Sequence, residues 1–199
     1  MASLNDLMIS RVRTKILKLF FQQTEEMYYV REITRATKEE INAVRRELSR
    51  QIGCGLLKSE KRGNRLYYYL NKRYLFYQEL ERMVSKVTGL GAKIRKLRRK
   101  LGSLDYVMLS GKFVRGLRPL KDEVDAFFVG DIVLTELKAM MVEEEKKLER
   151  ELNYGFFTKE EFEFRKTRRD PFVLSILYSA RVMIIGSEEE FVEIKREVI

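Results

Sequence analysis

The chain has 199 residues, of which 45% are hydrophobic and 35% are charged, and this composition supports a packed core and excludes a disordered chain. It contains no histidine and one cysteine, Cys54, which excludes histidine-dependent catalysis and an intramolecular disulfide. The longest apolar run, near residues 171–180, is far shorter than the ~20 residues of a membrane-spanning helix, and the N-terminus shows no signal-peptide pattern, so we expect a cytoplasmic protein.

The net charge of +10 is distributed unevenly along the chain. Residues 1–102 contain 24 Lys and Arg against 10 Asp and Glu, a net charge of +14, whereas residues 103–199 contain 16 against 20, a net charge of −4. Such an asymmetry is typical of two domains, one of which binds a polyanion. A basic surface that serves solubility alone is the alternative.

Two short amphipathic helices are predicted near the start of the chain. Residues 10–21 place apolar side chains on one helical face, formed by Val12, Ile16, Leu19 and Phe20. Residues 32–37 form a second helix, whose inward side chains are Ile33 and Ala36. Arg31, at the start of this second helix, is placed to contact a DNA phosphate.

A third predicted helix, residues 39–51, has a polar face that suits the DNA major groove. Its apolar stripe consists of Ile41, Val44 and Leu48. The opposite face carries an amide, a hydroxyl and three guanidinium groups, on Asn42, Arg45, Arg46, Ser49 and Arg50. Arginine forms paired hydrogen bonds with guanine and asparagine with adenine, so this face favours base contact. An ordinary solvated helix face is the alternative.

A basic β-hairpin follows the third helix. Its strands are predicted at residues 56–60 and 66–70, with positive φ angles at Gly63 and Asn64 in the turn. Alternation along the return strand buries Leu66, Tyr68 and Leu70. The tip carries the side chains that would contact the DNA backbone or minor groove, which are Lys61, Arg62, Asn64 and Arg65.

This order of two helices, a base-contacting helix and a basic hairpin resembles the winged helix-turn-helix of ArsR-type regulators. The resemblance covers about residues 8–71 and depends on the segments YYVREITRAT, EEINAVRRELSRQIG and GLLKSEKRGNRLYYYLN. It implies a homodimer that binds two half-sites on double-stranded DNA. ArsR-type metal sensors use Cys and His ligands, so metal sensing does not carry over, and we expect Cys54 to pack where the third helix ends.

Residues 72–89 are predicted to form a connector between an N-terminal domain, residues 1–71, and a C-terminal domain, residues 90–199. Residues 74–87 form an amphipathic helix that is a candidate for pairing two subunits, through Tyr77, Leu80, Val84 and Val87. After Gly89 and Gly91, a further helix is predicted over residues 92–101. Its outward side chains are Lys93, Lys96, Arg98, Arg99 and Lys100. We interpret this basic face as solvated, with contact to nucleic acid or to the acidic C-terminal domain as the alternatives.

The C-terminal half mixes strands and helices, which predicts an α+β domain. Strands are predicted at residues 104–111, 122–130, 152–157 and 181–186. Helices are predicted at residues 134–152, 158–166, 170–180 and 187–199. Thr158 and Pro171 support two of these helix starts, because Thr caps helices and Pro favours the first helical position.

The turn Gly111-Lys112, ten further residues and Glu123-Val124-Asp125 resemble the Gly-Ser…Asp-x-Asp pattern of the nucleotidyltransferase fold of the DNA polymerase beta superfamily. The resemblance covers about residues 90–186. In that family the Gly-Ser turn holds nucleotide phosphates, and three carboxylates hold two magnesium ions. Here a lysine replaces the serine, a glutamate replaces the first aspartate, and a neutral asparagine stands at the third carboxylate position. The resemblance thus implies a degenerate site of Gly111, Lys112, Glu123, Asp125 and Asn153, in which the lysine pairs with the carboxylates in place of a metal.

We therefore expect a sequence-specific transcriptional regulator that binds double-stranded DNA as a homodimer. Its C-terminal domain would be a non-catalytic nucleotidyltransferase-like shell for assembly or ligand sensing, with no catalytic residue, metal or cofactor. An active transferase that uses magnesium and a nucleotide, and depends on Asp125, is one alternative. An antitoxin-type protein that pairs with a helical ribonuclease toxin is another, and a nucleotide bound without turnover that controls DNA affinity is a third.

Overall fold

The computed structural model of the chain describes residues 10–194. These residues form a mixed α and β structure with two small sheets, which confirms the predicted α+β class. The chain divides into two compact units, with the boundary between Thr88 and Gly89. Within the described range, no helix is both long enough and apolar enough to cross a membrane.

Between residues 10 and 88, the first unit folds into helices around a three-stranded antiparallel sheet. Its elements are α1 (Arg11–Gln22), β1 (Tyr28–Tyr29), α2 (Val30–Thr37), α3 (Ile41–Gly53), β2 (Leu57–Arg62), β3 (Arg65–Leu70) and α4 (Tyr77–Ser85). The strand order is β1-β3-β2, so the short strand β1 extends the β2–β3 hairpin on one side. The hairpin turn has a positive φ only at Gly63, the first of its two residues, and not at Asn64 as the sequence predicts.

The core of the first unit takes one face from each helix. Helix α1 contributes Ile16 and Phe20, α2 contributes Ile33, and α3 contributes Val44 and Leu48, all at most 1% exposed. The helical spacing of these apolar residues is what predicts their inward position. The same spacing leaves the opposite face of each helix to polar side chains.

Three side chains of the first unit lie elsewhere than predicted. Ala36 is exposed, and Thr37 is buried instead, because its hydroxyl donates to the Ile33 carbonyl at 2.7 Å. Leu66 is 43% exposed because it lies near the tip of the hairpin, beyond the core. Cys54 is also exposed, so the prediction that it packs at the end of α3 is wrong.

Helix α4 belongs to the first unit, although the sequence assigns it to a connector. Tyr77 and Val84 are buried in the core that also contains α1 and the sheet. Burial, together with the nearby carboxylate of Glu81, raises the pKa of the Tyr77 hydroxyl to about 12. The apolar side of α4 is therefore already covered and is not free to pair two subunits as predicted.

The second unit is built around a four-stranded sheet with the order β6-β5-β4-β7. Its described elements are α5 (Gly89–Leu101), β4 (Gly102–Ser110), α6 (Gly111–Val114), β5 (Ala126–Ile132), α7 (Leu134–Leu148), β6 (Tyr154–Phe157), α8 (Lys159–Thr167), α9 (Pro171–Tyr178), β7 (Arg181–Ile185) and α10 (Glu188–Val192). Strand β4 pairs antiparallel with β5 and β7, and β5 pairs parallel with β6. Part of the predicted final helix, residues 195–199, lies outside the described residues.

Helices cover both faces of this sheet. Val107 and Phe128 point to the side of α5 and α7, whereas the adjacent Met108 and Phe127 point to the side of α8, α9 and α10. Because both faces are buried, these strands are nearly continuous apolar runs in the sequence. The predicted strand 122–130 nevertheless begins only at Ala126, because residues 122–125 form an irregular approach to it.

The boundary after Thr88 changes how the charge divides between the two halves. Residues 1–88 contain 18 Lys and Arg against 10 Asp and Glu, a net charge of +8, and residues 89–199 contain 22 against 20, a net charge of +2. The basic helix α5 thus belongs to the second unit. Lys93 of this helix does not face out as predicted, because its ammonium pairs with Glu143 of α7 at 2.5 Å.

Candidate functional site

Helix α3 presents an open polar surface. All five residues predicted to contact bases are exposed, which are Asn42, Arg45, Arg46, Ser49 and Arg50. Within the described residues, Arg45 and Arg46 form no ion pair, so both guanidinium groups are available to an external anion or base. The structure thus brings together, on one face, the groups that the helical spacing groups together.

The start of α3 is fixed by the carboxylate of Glu40. Its two oxygens accept hydrogen bonds from the backbone N–H groups of Asn42 and Ala43, both at 2.8 Å. These two bonds hold the pKa of Glu40 below its ordinary value, and the nearby Arg46 and Arg45 lower it further. The cap satisfies backbone donors that would otherwise be unpaired, and it sets the position of Asn42 at the first turn.

A buried carboxylate fixes α3 to α1. Glu47 is 2% exposed, and its Oε1 accepts from Arg13 Nε at 2.6 Å and from Gln51 Nε2 at 3.3 Å. The bond to Glu47 raises the pKa of Arg13 above its ordinary value. Arg50 lies 3.5 Å from the other oxygen of Glu47, so Arg50 has a partner within the chain. The sequence signal for this pair is a glutamate directly before Leu48, on the buried side of the helix.

Both arginines of the hairpin also have partners within the chain. Arg62 Nε lies 3.1 Å from Glu60 Oε1, and the Arg65 guanidinium lies 4.6 Å above the centre of the Tyr29 ring. A hydrogen bond with Tyr67 is the main reason that the pKa of Arg65 is raised. These partners are partly open to solvent, so DNA phosphates would compete with them for the arginines.

The remaining predicted DNA contacts, Arg31, Lys61 and Asn64, are exposed. Neither Arg31 nor Lys61 forms an ion pair with any residue from 10 to 194. Lys61 lies opposite Leu66 in the hairpin, one residue pair away from the turn. Of the three cations predicted at the hairpin tip, Lys61 is therefore the one that an external phosphate could bind without displacing an internal partner.

Helix α3 contacts strand β2 of the hairpin, so the two elements are neighbours in the first unit. Tyr68 is buried on the core-facing side of β3, and burial raises the pKa of its hydroxyl. The positive charge of Arg45 lowers the same pKa and partly offsets that rise.

In the second unit, Lys112 pairs with Glu123. The Lys112 ammonium lies 2.8 Å and 2.6 Å from the two carboxylate oxygens, as the sequence predicts for this lysine. The backbone N–H of Leu120 also donates to Glu123, at 2.8 Å. This backbone bond and then the lysine hold the pKa of Glu123 below its ordinary value. The predicted turn at Gly111 is the first turn of α6, which the Ser110 hydroxyl caps by accepting from the Phe113 N–H at 3.1 Å.

Asp125 is paired with a residue that the sequence does not single out. Its carboxylate is fully buried, and its two oxygens accept from the Nη1 and Nη2 atoms of Arg150, both at 2.9 Å. The backbone N–H of Asn153 donates to the same carboxylate at 3.0 Å. The Asn153 side chain is exposed and donates to the Glu123 carbonyl at 3.4 Å. Lys112 therefore neutralises only the glutamate, and Arg150 neutralises the aspartate.

The carboxylates at this position do not fit the two magnesium ions of the nucleotidyltransferase family. Such a site needs several carboxylate oxygens that are free to bind the ions. Both oxygens of Glu123 face Lys112, and both oxygens of Asp125 face Arg150. Between residues 10 and 194, no group of three or more His, Cys, Asp or Glu side chains is placed to hold a metal ion.

A cavity of 660 Å³ opens beside this pair of ion pairs. Lys112 and Glu123 contribute to its wall, and Asp125 and Asn153 do not. Its other walls come from α9, from the residues on either side of α6, and from the segments just before β5 and β7, through Ser110, Arg115, Asp122, Val124, Pro171, Phe172, Ser175, Ile176, Ser179 and Ala180. Asn153 lines a neighbouring groove that shares Glu123 and Phe172 with the cavity. The five residues of the predicted degenerate site are thus close in space but do not line one common site.

Comparison with known proteins adds nothing to this geometry, because no protein-family model, curated protein or solved structure matches the chain. The evidence for a function therefore comes from the residues and the geometry described above. These include the segments that resemble a winged helix-turn-helix and a nucleotidyltransferase fold.

Proposed function

We propose that the protein binds double-stranded DNA through the first unit and acts as a sequence-specific transcriptional regulator. The observation that carries this proposal is the polar face of α3, on which the amide of Asn42 and the guanidinium groups of Arg45 and Arg46 are exposed. Neither arginine forms an ion pair with a residue of the described part of the chain. A helix of this width and chemistry fits the major groove, where each base pair presents a distinct pattern of donors and acceptors.

Each part of the surface has a different role in this proposal. Arg45 and Arg46 donate to guanine edges, and Asn42 bonds adenine, because these pairings match in geometry. Arg31 and Lys61 bind phosphates, which supply affinity and orientation but no sequence information. The pair of Glu47 with Arg13 keeps α3 at a fixed angle on α1, so the base-contacting side chains have a defined position.

The same surface is less suited to single strands. The tyrosines of the hairpin sheet are at least partly buried, and the Tyr29 ring is covered by Arg65. Proteins that bind single strands use open aromatic rings on which bases stack. The exposed groups on α3 are instead hydrogen-bonding groups at helical spacing, which favours the edges of paired bases.

We further propose that the protein binds DNA as a homodimer, because one small module binds weakly at physiological salt and two half-sites restore affinity. The apolar side of α4 is covered, so a surface other than the predicted one must pair the subunits. Between residues 10 and 88, the large apolar side chains most exposed, and so most available for that contact, are Leu75 and Phe76 just before α4, at 80% and 53%.

The second unit has a non-catalytic role in this proposal, either in assembly or in ligand sensing. Two ion pairs within the unit support this proposal: Glu123 pairs with Lys112, and Asp125 pairs with Arg150. A transferase of the family it resembles requires those carboxylates for magnesium. The alternative of an active transferase would need both ion pairs to open together, including the one whose Asp125 carboxylate is fully buried.

The test is the affinity of the intact protein for random-sequence duplex DNA, measured by fluorescence anisotropy from 50 to 300 mM salt. We expect the logarithm of the association constant to fall linearly with the logarithm of the salt concentration, because phosphate contacts release counterions. Lys61→Ala should reduce the slope by about 1, since it removes one phosphate contact. Arg82→Ala, which removes an exposed cation of α4, is the matched control and should leave the slope unchanged. Absence of binding at the lowest salt would contradict the proposal.

A further inference from the structure

The 660 Å³ cavity of the second unit has a size typical of sites for small organic ligands. Most of its exposed wall is apolar. The apolar side chains belong to the segment before β5, to α9 and to the residue before β7, and they are Val124, Pro171, Phe172, Ile176 and Ala180. An apolar wall of this kind suits the apolar body of a ligand, and Phe172 is the aromatic side chain that lines it.

The charged residues of the wall leave one cation available. Lys112 and Glu123 neutralise each other at 2.6 Å. Arg115 lies at the C-terminal end of α6, and it forms no ion pair with any residue of the described part. Asp122 likewise has no cationic partner among residues 10–194. The wall as a whole therefore has two cations and two carboxylates, and only the guanidinium can accept an anion without breaking an existing pair.

The charges of the cavity wall favour an anion with a single charge over one with several. A nucleoside triphosphate carries several negative charges. It would meet the carboxylate of Asp122, which has no cationic partner in the described part of the chain, with Arg115 as the one free cation of the wall to offset those charges. A monocarboxylate has one charge, which a guanidinium binds through two parallel hydrogen bonds. The volume admits either ligand, so the charge of the wall decides between them.

We propose that the cavity binds a small organic monoanion, with its carboxylate on Arg115 and a flat apolar ring against Phe172. The proposal deepens the ligand-sensing role proposed for the second unit and rests on that role. Binding is measured without DNA, so a negative result here is distinct from a failure of DNA binding.

The test uses 2-naphthoate as the probe, with 2-naphthamide and ATP with or without magnesium as comparisons, each titrated into the intact protein and followed by NMR. We expect 2-naphthoate to shift resonances of residues around the cavity and to bind at least tenfold more tightly than the neutral amide. Arg115→Ala should weaken 2-naphthoate about tenfold, because it removes a charge-assisted bidentate contact. Arg118→Ala, which removes an exposed arginine of the same segment that does not line the cavity, is the matched control and should have no effect.

A second variant tests the apolar part of the site. Ser175 is exposed at the cavity wall, so Ser175→Phe adds volume there without removing a buried side chain. This variant should fold as the parent does, by circular dichroism, and should lose 2-naphthoate binding. Three results would overturn the proposal: no binding of 2-naphthoate, binding that Arg115→Ala leaves unchanged, or tighter binding of ATP than of 2-naphthoate.

Discussion

The polar face of α3 and the carboxylates of the second unit are both recognisable from residue spacing, but only one of them is free to act. On α3, Arg45 and Arg46 are exposed and form no ion pair with the described residues. In the second unit, Glu123 and Asp125 are each held by an internal cation, at 2.6 Å and 2.9 Å. The comparison teaches that spacing places functional groups, whereas the partners contributed by the fold determine whether those groups remain available.

The largest expected effect is on the buried pair of the second unit. Arg150→Ala leaves the fully buried Asp125 carboxylate without its cation, so we expect the free energy of unfolding to fall by about 3–5 kcal/mol. Calorimetric unfolding of the intact chain measures this. Arg118→Ala, an exposed arginine without an ion pair in the described range, is the control and should change the stability little.

A double variant shows how much of the stability loss in Arg150→Ala comes from the uncompensated charge and how much from lost packing. Asp125→Asn combined with Arg150→Ala leaves no uncompensated buried charge, so it should be more stable than Arg150→Ala alone. If Arg150→Ala is as stable as the parent, the Asp125 carboxylate does not depend on Arg150. The contrast between paired carboxylates in the second unit and open arginines on α3 is then wrong.

The next largest effect concerns the open face of α3. Replacing Arg45 and Arg46 together with Ala should weaken binding to the preferred DNA sequence by at least about 30-fold, because each bidentate base contact is worth about 1–3 kcal/mol. Stability should change little, since neither side chain forms an ion pair with any residue from 10 to 194. Fluorescence anisotropy with the preferred and a scrambled duplex measures the loss, and Arg82→Ala serves again as the matched control. An unchanged affinity would remove α3 from the DNA interface.

A third prediction sharpens the comparison within the first unit. Glu47→Gln removes the charge that holds Arg13 but keeps the shape of the side chain, and we expect it to lower the free energy of unfolding by about 1–3 kcal/mol. DNA affinity should fall as well, because α3 loses its fixed angle on α1. Urea unfolding and anisotropy on the same variant measure the two effects. A stability loss with fully retained DNA affinity would show that the pair does not position α3.

The smallest effect is expected at the half-buried pair of Lys112 and Glu123 in the second unit. Both the Leu120 N–H and the Lys112 ammonium depress the pKa of Glu123 from its ordinary value of 4.5. A depressed pKa contributes stability above 4.5 that is lost as the pH falls through the depressed value. Lys112→Ala should raise the pKa of Glu123 only part of the way back to 4.5, because the Leu120 bond remains. An NMR titration of the Glu123 carboxyl checks this, and a complete return to 4.5 would contradict the assigned order of causes.

Local periodicity predicts most of the helices and strands, as well as the faces of α1 and α3, because apolar side chains at helical spacing must share one side of a helix. The segment before β5 is harder to predict, since residues 122–125 precede an apolar strand but are held in an irregular path by bonds to Arg150 and Asn153, which are distant in the sequence. Thr37 displaces Ala36 from the core through a hydrogen bond to Ile33 that no hydropathy pattern records.

The partners of the charged residues are the least predictable part. Arg150 is 25 residues from Asp125 along the chain, and Arg13 is 34 residues from Glu47. Nothing in the local sequence distinguishes these arginines from the many that remain solvated. Lys112 with Glu123 is the exception, because the resemblance to a metal site places the ammonium beside the carboxylate where a magnesium ion would lie.

The most direct test of the central claim is a selection of random-sequence duplex DNA by the intact protein and, in parallel, by the Arg45→Ala, Arg46→Ala double variant. If the exposed face of α3 contacts bases, the parent protein will enrich a two-fold symmetric sequence, and the double variant will lose that enrichment while it retains weak, salt-dependent binding. If the parent enriches no sequence, or if the double variant enriches the same sequence as the parent, α3 does not determine DNA recognition and the proposed function is wrong.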